Sequence, residues 1–495
     1  MNRRSFLKAS GTGALLVQSG SIWAQEVERP LPLLPLTDLT TGIDNRIPLT
    51  MQSSTHDFGN GARSQTLGIN NNYLGPVLRV KQGQTLPFDV FNGIEDVSTL
   101  HWHGLHIPGN VDGGPHQEIE SGKTWSPDVP IVQQASMNWF HSHVHGRTAQ
   151  QSYKGLVGVM LIEDDNSLSA DLPKTYGVDD FTIVLQDKTF DEKGAMSYVL
   201  SEETLEEGYL GDTLVVNGAI APCRQSVPTG LVRLRILNAC NARFLTLSMS
   251  NGPLTVIASD GGFLRSAVET ESVVMSPGER YEVLIDMNTA DSNSLEVEFG
   301  ADDGILEFLA GIFGRGTGKL TALKLTRAAE KGFTGSMPNE LANLQAPDAS
   351  LATKTRSFSL NMDGDAQLAA LAADWDNFCG NPGAAAGMGI NGQPMNMSRI
   401  DEEVSKGATE IWRINVDEDL HPFHIHGCSF RILSQQGAAA PAYAQGWKDM
   451  VHVQDGWSEV LVRFDYSAPK EAPYMYHCHI LEHEDCGMMG QFTVV

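Results

Sequence analysis

Hydrophobic residues come in short runs along the chain, and few stretches show the longer period of a helix. Val, Ile, Leu and Phe make up these runs, and Gly, Pro, Asn and Asp separate them. Successive side chains of a strand point to opposite faces, so this pattern is typical of short strands joined by turns. We therefore predict an all-β protein built of β-sandwiches or barrels.

One segment occurs three times along the chain. Each copy has a turn glycine, an alternating strand and a closing asparagine, and the copies begin 147 and then 177 residues apart: Gly83–Asn92, Gly230–Asn238 and Gly407–Asn415. A chain of 495 residues also has the length of about three domains. We predict three consecutive domains, listed by residue range: 30–165, 176–327 and 355–495.

The outer two domains share a further motif that the middle one lacks. Phe140-His-Ser-His143 and Tyr476-His-Cys-His479 are each followed by a glycine and an apolar strand, whereas residues 176–327 contain no histidine. We interpret the middle domain as a spacer that brings its neighbours together.

The first residues indicate export. Residues 1–8 contain a twin arginine followed by hydrophobic residues and a lysine, and a mildly apolar run without acidic residues extends to Ala24. We expect residues 1–24 to be a signal peptide for the twin-arginine export machinery. No other run of about 18 apolar residues occurs, so we expect a periplasmic or secreted protein without a membrane anchor.

Charge and cysteine usage exclude some classes of partner and scaffold. The 60 acidic and 34 basic residues give a formal charge of -26, which repels nucleic acids and anionic membranes. We therefore expect no nucleic-acid partner, and we expect a monomer. Six scattered cysteines do not make a disulfide-stapled scaffold. Cys223 and Cys240 could pair, and Cys486 is expected to be a buried thiol.

Ten of the fifteen histidines lie in four short clusters. The clusters are His101-Trp-His103, His141-Ser-His143, His421-Pro-Phe-His424-Ile-His426, and His477-Cys-His479 with His483. Residues i and i+2 of a strand share a face, so each His-x-His pair can direct two imidazoles at one metal centre. A lone histidine is more often structural, but four paired clusters favour a metal site. Imidazole alone does not distinguish copper, zinc, iron and nickel.

Cys478 favours copper. A thiolate, two imidazoles and a weak axial methionine form a blue-copper site, and Cys478, His483 and Met488 follow one another at five-residue intervals. His421 can supply the second imidazole. The other eight histidines, four from each end of the chain, predict a multinuclear site where the outer domains meet. His477 and His479 flank Cys478, which gives an electron a short covalent route to that site.

These four motifs, in this order and over nearly the whole mature length, resemble the multicopper oxidases, the laccase-like family. The segment His477–Met489 and the export signal look closest to bacterial periplasmic copper-efflux oxidases. The resemblance implies three cupredoxin-like Greek-key β-sandwich or barrel domains, with a trinuclear copper site between domains 1 and 3.

The resemblance also implies four copper ions, each with its own ligands. Type 1 copper would be bound by His421, Cys478 and His483 with Met488 axial, and type 2 copper by His101 and His424. The ligands of the two type 3 ions would be His103, His141, His143, His426, His477 and His479. Asp112 and Glu484 match two acids that supply protons for dioxygen reduction, and with Cys478 they are the candidate catalytic residues. His106, His116 and His145 lie outside the family pattern.

We expect an exported oxidase that uses dioxygen and a small reducing substrate. Phenolic or aromatic compounds and cuprous or manganous ions are the candidate reductants. The resemblance places a possible substrate copper at Met362 and Asp417, but Asp419 stands where a further methionine is expected. The efflux oxidases' methionine-rich insert is reduced here to scattered residues, among them Met388, Met395 and Met397. The alternative is a copper-tolerance protein acting mainly as a cuprous oxidase or as a copper-binding buffer.

Overall fold

The computed structural model describes residues 28–43, 45–299, 318–362, 375, 379, 388–416, 420–454 and 456–495. Within these ranges the chain forms 34 strands and four short α-helices, which confirms the predicted all-β class. Short 3₁₀ turns occupy Gly109–Val111, Ala349–Leu351 and Ala442–Ala444. In this part of the chain no helix has the length and apolar character needed to cross a membrane.

The first described strand is β1 (Arg29–Pro30). The strands after it form the first unit, which consists of two sheets. They are β2 (Leu36–Asp38), β3 (Ile47–His56), β4 (Ser64–Ile69), β5 (Val77–Lys81), β6 (Thr85–Gly93), β7 (His101–His103), β8 (Thr124–Trp125), β9 (Asp128–Pro130), β10 (Ser136–His141) and β11 (Val157–Glu163). One sheet has the order β4-β3-β6-β8, with β9 beside β6, and the other has the order β2-β5-β11-β10-β7. Met51, Phe88, Trp102 and Phe140 pack together between the two sheets. Two helices, α1 (Thr148–Lys154) and α2 (Asp165–Ser169), flank β11.

A second two-sheet unit occupies the middle of the chain. Its strands are β12 (Asp180–Phe190), β13 (Met196–Ser197), β14 (Thr213–Val216), β15 (Ala219–Ile220), β16 (Cys223–Thr229), β17 (Leu231–Asn238), β18 (Leu245–Met249), β19 (Leu254–Ser259), β20 (Gly262–Thr270), β21 (Val273–Met275), β22 (Arg280–Asp286), β23 (Ser292–Phe299) and β24 (Gly318–Lys331). The sheet orders are β15-β14-β12-β17-β22-β19-β20, with β13 beside β12, and β1-β16-β24-β23-β18-β21. Strand β1 thus precedes the first unit in the chain but belongs to a sheet of the middle unit. Helix α3 (Glu202–Glu206) follows β13.

The last two-sheet unit contains the C-terminal strands. They are β25 (Lys354–Met362), β26 (Met388–Ile390), β27 (Glu402–Val404), β28 (Thr409–Val416), β29 (His421–Ile425), β30 (Phe430–Ser434), β31 (Met450–Val453), β32 (Ser458–Arg463), β33 (Tyr474–Cys478) and β34 (Met489–Val494). The sheet orders are β26-β25-β28-β32-β30 and β27-β34-β33-β29-β31. Helix α4 (Leu481–Asp485) connects β33 to β34. Phe358, Trp412, Phe423 and Phe492 pack between the sheets.

The three repeated segments form equivalent strands. They correspond to β6, β17 and β28, and each pairs in parallel with an earlier strand of its own unit, namely β3, β12 and β25. Each also pairs antiparallel with a later strand, namely β8, β22 and β32. The weak sequence repeat therefore reflects the same position in three similar sheets.

The cysteine pairing differs from the expectation. Cys486 is not a thiol but forms a disulfide with Cys379, with the two Cα atoms 4.1 Å apart, whereas Cys223 and Cys240 are buried and unpaired. The two bonded residues are separated by 107 positions. Only the folded chain places Cys379 against the end of α4, so spacing could not indicate the pair.

We predict that Cys379→Ser lowers the free energy of unfolding by about 2–4 kcal/mol, because the disulfide restricts the unfolded chain. Denaturant unfolding in oxidising buffer measures the difference. Adding a reductant should bring the wild type to the midpoint of the variant and leave the variant unchanged. Equal midpoints of the two proteins in oxidising buffer would contradict a stabilising role.

Candidate metal centre

Strand pairing in the two outer units brings the histidine clusters together. In the first unit β7 lies beside β10, with His101 opposite His141. In the last unit β29 lies beside β33, with His424 opposite His477. Rings of the two units stack on each other across the interface: His101 on His426 with centroids 3.9 Å apart, and His103 on His424 at 3.8 Å.

Three ring nitrogens converge at this interface. Nε2 of His143 lies 3.1 Å from Nε2 of His426 and 3.3 Å from Nε2 of His477, and the last two atoms are 3.2 Å apart. The other ring nitrogens face carboxylates: Nδ1 of His426 lies 2.8 Å from Asp112, and Nδ1 of His143 and of His477 each lie 3.2 Å from Glu484. Burial lowers the pKa of His143 and His426 well below the ordinary value, so both rings are neutral. The Nε2 atoms of three rings therefore face one point, as in a metal site.

The remaining imidazoles of the interface also present free nitrogens. Those of His101, His103 and His424 lie within 4.8 Å of one another, and so do those of His103, His141 and His479. Each of these five rings has a buried nitrogen without a hydrogen-bond partner: Nε2 of His101, His141 and His424, Nδ1 of His103, and both nitrogens of His479. Burying polar atoms unpaired is costly, whereas a bound metal would pair with all of them.

Cys478, His421 and His483 form a separate buried group. The sulfur of Cys478 lies 3.3 Å from Nδ1 of His421 and 3.8 Å from Nδ1 of His483. Met488 is buried in the same core, and its carbonyl accepts a hydrogen bond from the Cys478 amide at 3.1 Å. Burial raises the pKa of the Cys478 thiol and lowers the pKa of His483 to about 4. The group thus combines a thiol, two neutral imidazoles and a thioether.

The chemistry of the two donor sets fits copper. Thiolate, two imidazoles and methionine are the donors of blue-copper sites, and an all-imidazole cage also suits copper. Structural zinc prefers one closed tetrahedral set and would leave most of these histidines unused.

Comparison with known proteins agrees with this geometry. Three multicopper oxidase family models match residues 50–167, 179–295 and 360–495. The chain belongs to the multicopper oxidase family.

Several solved structures and named relatives resemble this member of the family. The laccase-like multi-copper oxidase CueO of Ochrobactrum sp. is 42% identical, with a TM-score of 0.84 over 94% of this chain and 100% of that chain. A laccase of Pediococcus acidilactici is 30% identical, with a TM-score of 0.79 and 95% of each chain covered. The cell division protein FtsP of Yersinia pestis is 36% identical over 500 residues, covering 100% of this chain and 98% of that protein. The likeness confirms the predicted family and its cupredoxin-like fold.

Two buried carboxylates contact the histidine cage, which consists of the eight histidines at the interface: His101, His103, His141, His143, His424, His426, His477 and His479. Asp112 reaches His426, and its carboxylate also lies 3.4 Å from Nδ1 of His101. The next residue, Gly113, has φ +79°, and a Cβ there would lie 1.8 Å from the Leu100 carbonyl, so the turn that delivers Asp112 requires glycine. Burial acts to raise the pKa of Glu484, but the adjacent histidines outweigh it and hold this pKa below the ordinary value.

The three histidines outside the family pattern lie outside both groups of metal-binding side chains. Nε2 of His106 is 2.8 Å from the Ser429 hydroxyl, and Nε2 of His116 is 2.7 Å from Gln491. His145 is nearly buried, and burial lowers its pKa to about 4. Within the described ranges, none of these three histidines belongs to a metal-binding group.

The structure describes only some of the residues that were predicted to hold a substrate copper. Met362 ends β25, is half-buried, and lies opposite Met388 of β26. Met395 packs with Met475 and Met489, and Met397 lies against them. Asp417 and Asp419 lie outside the described residues, so a substrate copper at Met362 and Asp417 stays a prediction.

Two residues beside the histidine cage could not be recognised as site residues from the sequence. Asp449 contacts both His103 and His424, and Arg280 of the middle unit binds Asp449. Neither residue belongs to a histidine motif, and both are separated in sequence from the histidines of the cage, so no local pattern indicated these contacts. The middle unit also contacts the Cys478 group, because the Glu206 carbonyl lies 3.2 Å from Nε2 of His483.

We predict that Cys478→Ser removes the intense thiolate-to-copper band of the copper-loaded protein and one bound copper, because serine lacks the thiolate. Visible absorption and metal analysis measure both. Cys428→Ser is the matched control, since Cys428 is a buried free cysteine of the same core. A blue band that persists in Cys478→Ser would refute the role of this sulfur.

Proposed function

We propose that this protein is an exported laccase-like oxidase. It would couple one-electron oxidation of phenolic, aromatic or metal-ion substrates, cuprous and manganous ions among them, to four-electron reduction of dioxygen to water. The main support for this proposal is that two buried sets of metal-binding side chains are joined through Cys478 and its neighbours His477 and His479. Bound copper would supply one-electron redox steps at the first set and dioxygen reduction at the second.

The geometry supports a ligand assignment for four ions. The group of Cys478, His421 and His483, with Met488 in the same core, suits type 1 copper. The other eight histidines, from both outer units, suit the trinuclear site. Type 2 copper would take His101 and His424, and the type 3 pair would take His103, His141, His143, His426, His477 and His479.

Electrons have a short path between the two sets. The sulfur of Cys478 lies in the first set, and the backbone connects it directly to His477 and His479, whose rings lie in the second. Because every step of this path is covalent, the chain itself links electron entry to the dioxygen site.

The acidic helix α3 lies next to the Cys478 group, where electrons would enter. Nε2–H of His483 donates to the carbonyl of Glu206, the last residue of α3, at 3.2 Å. Residues 202, 203, 206 and 207 are all glutamates. A reductant that contacts α3 is thus one hydrogen bond from a type 1 ligand, and the negative charge favours cationic reductants over anionic ones.

Asp112 and Glu484 are the proposed proton donors. Each carboxylate touches two cage histidines that belong to different units: Asp112 touches His101 and His426, and Glu484 touches His143 and His477. Both acids are fully buried beside the place where dioxygen would react, as a proton donor must be.

The copper-loaded protein should consume dioxygen with at least one of four reductants: a phenol, Cu(I), Mn(II) or Fe(II). The acidic helix predicts higher catalytic efficiency with the metal ions than with an anionic phenol such as a phenolsulfonate. Oxygen uptake at equal reductant concentrations measures the order, with Cys478→Ser as the inactive control. Bound copper with no uptake for any reductant would refute the oxidase and favour a copper-binding buffer.

We predict that Asp112→Asn and Glu484→Gln each slow oxygen consumption by about 100-fold or more, because an amide cannot deliver the proton. The type 1 band should stay bleached during turnover, since electrons enter but dioxygen is reduced slowly. Glu482→Gln is the matched control: Glu482 is equally buried but binds Asn241 and Tyr198 instead of the histidines. Equal slowing in Glu482→Gln would argue against proton donation by Glu484.

A role in cell division is the second candidate, favoured by the name of relatives that match the whole chain at 35–36% identity. Complementation of a division defect by Cys478→Ser would support a non-catalytic role. We also propose twin-arginine export to the periplasm and a monomeric state. The candidate signal, residues 1–24, lies outside the described residues.

A further inference from the structure

Arg280 lies where the three units meet. It begins β22 of the middle unit and is fully buried. Its Nε donates to the carbonyl of Met137 in β10 of the first unit at 2.9 Å. Its two terminal nitrogens donate to both oxygens of Asp449, in the last unit, at 2.7 and 2.6 Å. A single guanidinium therefore ties together all three units.

Asp449 in turn holds one cage histidine from each outer unit. Its Oδ1 accepts a hydrogen bond from Nε2–H of His103 at 3.1 Å, and its backbone carbonyl accepts one from Nδ1–H of His424 at 2.8 Å. The two rings lie nearly parallel, at an interplanar angle of 13°. Asp449 thus fixes the orientation of a stacked pair that crosses the interface.

This contact determines which nitrogen His103 offers. Five other cage histidines have an outward hydrogen bond, and in each of them Nδ1 carries this bond and Nε2 faces inwards: His101, His141, His424, His426 and His477. His103 has the reverse arrangement, with Nε2 on Asp449 and Nδ1 unpartnered. The hydrogen bond at one ring nitrogen sets the tautomer, so His103 presents a lone pair at Nδ1 because Asp449 accepts from Nε2.

Close packing leaves Asp449 little freedom. Gly104, next to His103, has φ +87°, and a Cβ there would lie 2.7 Å from Asp449 Oδ2 and 2.8 Å from Arg280. The bidentate guanidinium holds the carboxylate plane in one orientation. The carboxylate oxygen that meets His103 therefore has a fixed position.

We infer that Asp449 and Arg280 are positioning residues of the trinuclear site, through which the middle unit sets the tautomer of His103 and the orientation of the His103–His424 pair. The inference rests on the proposed function, because it takes these histidines as copper ligands. It gives the middle unit, which contributes no ligand, a direct effect on the copper site.

The test compares Asp449→Ala, Asp449→Asn and Arg280→Met with the wild type. In Asp449→Ala and Arg280→Met, copper affinity at the trinuclear site should fall by about 10- to 100-fold. The near-ultraviolet band of the coupled pair should weaken, and the type 2 electron paramagnetic resonance signal should change. The blue band should persist, because neither residue touches the Cys478 group. Asp449→Asn keeps an acceptor for His103 and should show a smaller loss.

Asp180→Asn is the matched control. Asp180 is buried and binds Arg235 of the same unit through both oxygens, each at 2.8 Å, but touches no histidine. It should lower the unfolding temperature of the copper-free protein without changing copper affinity or spectra. The inference is overturned if the Asp449 and Arg280 variants bind copper at the trinuclear site like the wild type, or if Asp180→Asn changes the spectra equally. A wild type that binds no copper would instead overturn the proposed function, and the inference with it.

Discussion

Eight imidazoles are buried in one cage, and much of the surrounding structure serves to pair one nitrogen of most of these rings while the other nitrogen faces inwards. Carboxylates accept hydrogen bonds from the outward N–H groups of His426 and His103, and backbone carbonyls accept from those of His101, His141, His424 and His477. Burial lowers the pKa of His141 and His424 well below the ordinary value and keeps these rings neutral, so their inward nitrogens carry lone pairs. A cluster of converging lone pairs is unfavourable in an empty apolar interior but favourable around a cation. The cage thus gains its stability when metal is bound.

The middle unit contributes to this arrangement although it has no histidine. Its Glu279 binds Lys448 at 2.5 Å and His452 at 2.6 Å, and its Asp260 binds Lys448 at 2.9 Å. These buried pairs all cross to the last unit, beside the contact of Arg280 with Asp449. Buried ion pairs add little net stability, because desolvation offsets their attraction, but an unpaired charge is costly. They therefore favour one docking geometry of the two units over others.

The sequence indicated those parts of the site that depend on local order. Alternation along strands predicted the fold class, and the spacing of His101 and His103 on one strand predicted that their rings share a face. Cys478, between two histidines, indicated the link between the donor sets. The disulfide of Cys379 with Cys486 and the contacts of Asp449 and Arg280 depend on which surfaces meet after folding. No spacing rule carries that information, so the tautomers of the histidines could not be predicted either.

In the proposed oxidase, substrate choice would depend on the surroundings of the Cys478 group as well as on the group itself. Proteins that match at least 94% of the chain carry names as different as laccase-like multi-copper oxidase and cell division protein. Similar folds host different functions, so the fold alone does not select a reductant. In this protein the Glu206 carbonyl of the middle unit accepts a hydrogen bond from His483, and the disulfide at Cys486 lies just before Met488 in the chain. In the proposed oxidase, a reductant that approaches His483 along α3 would meet the acidic side chains of this helix before a copper ligand, so the charge of α3 would influence which substrates are accepted.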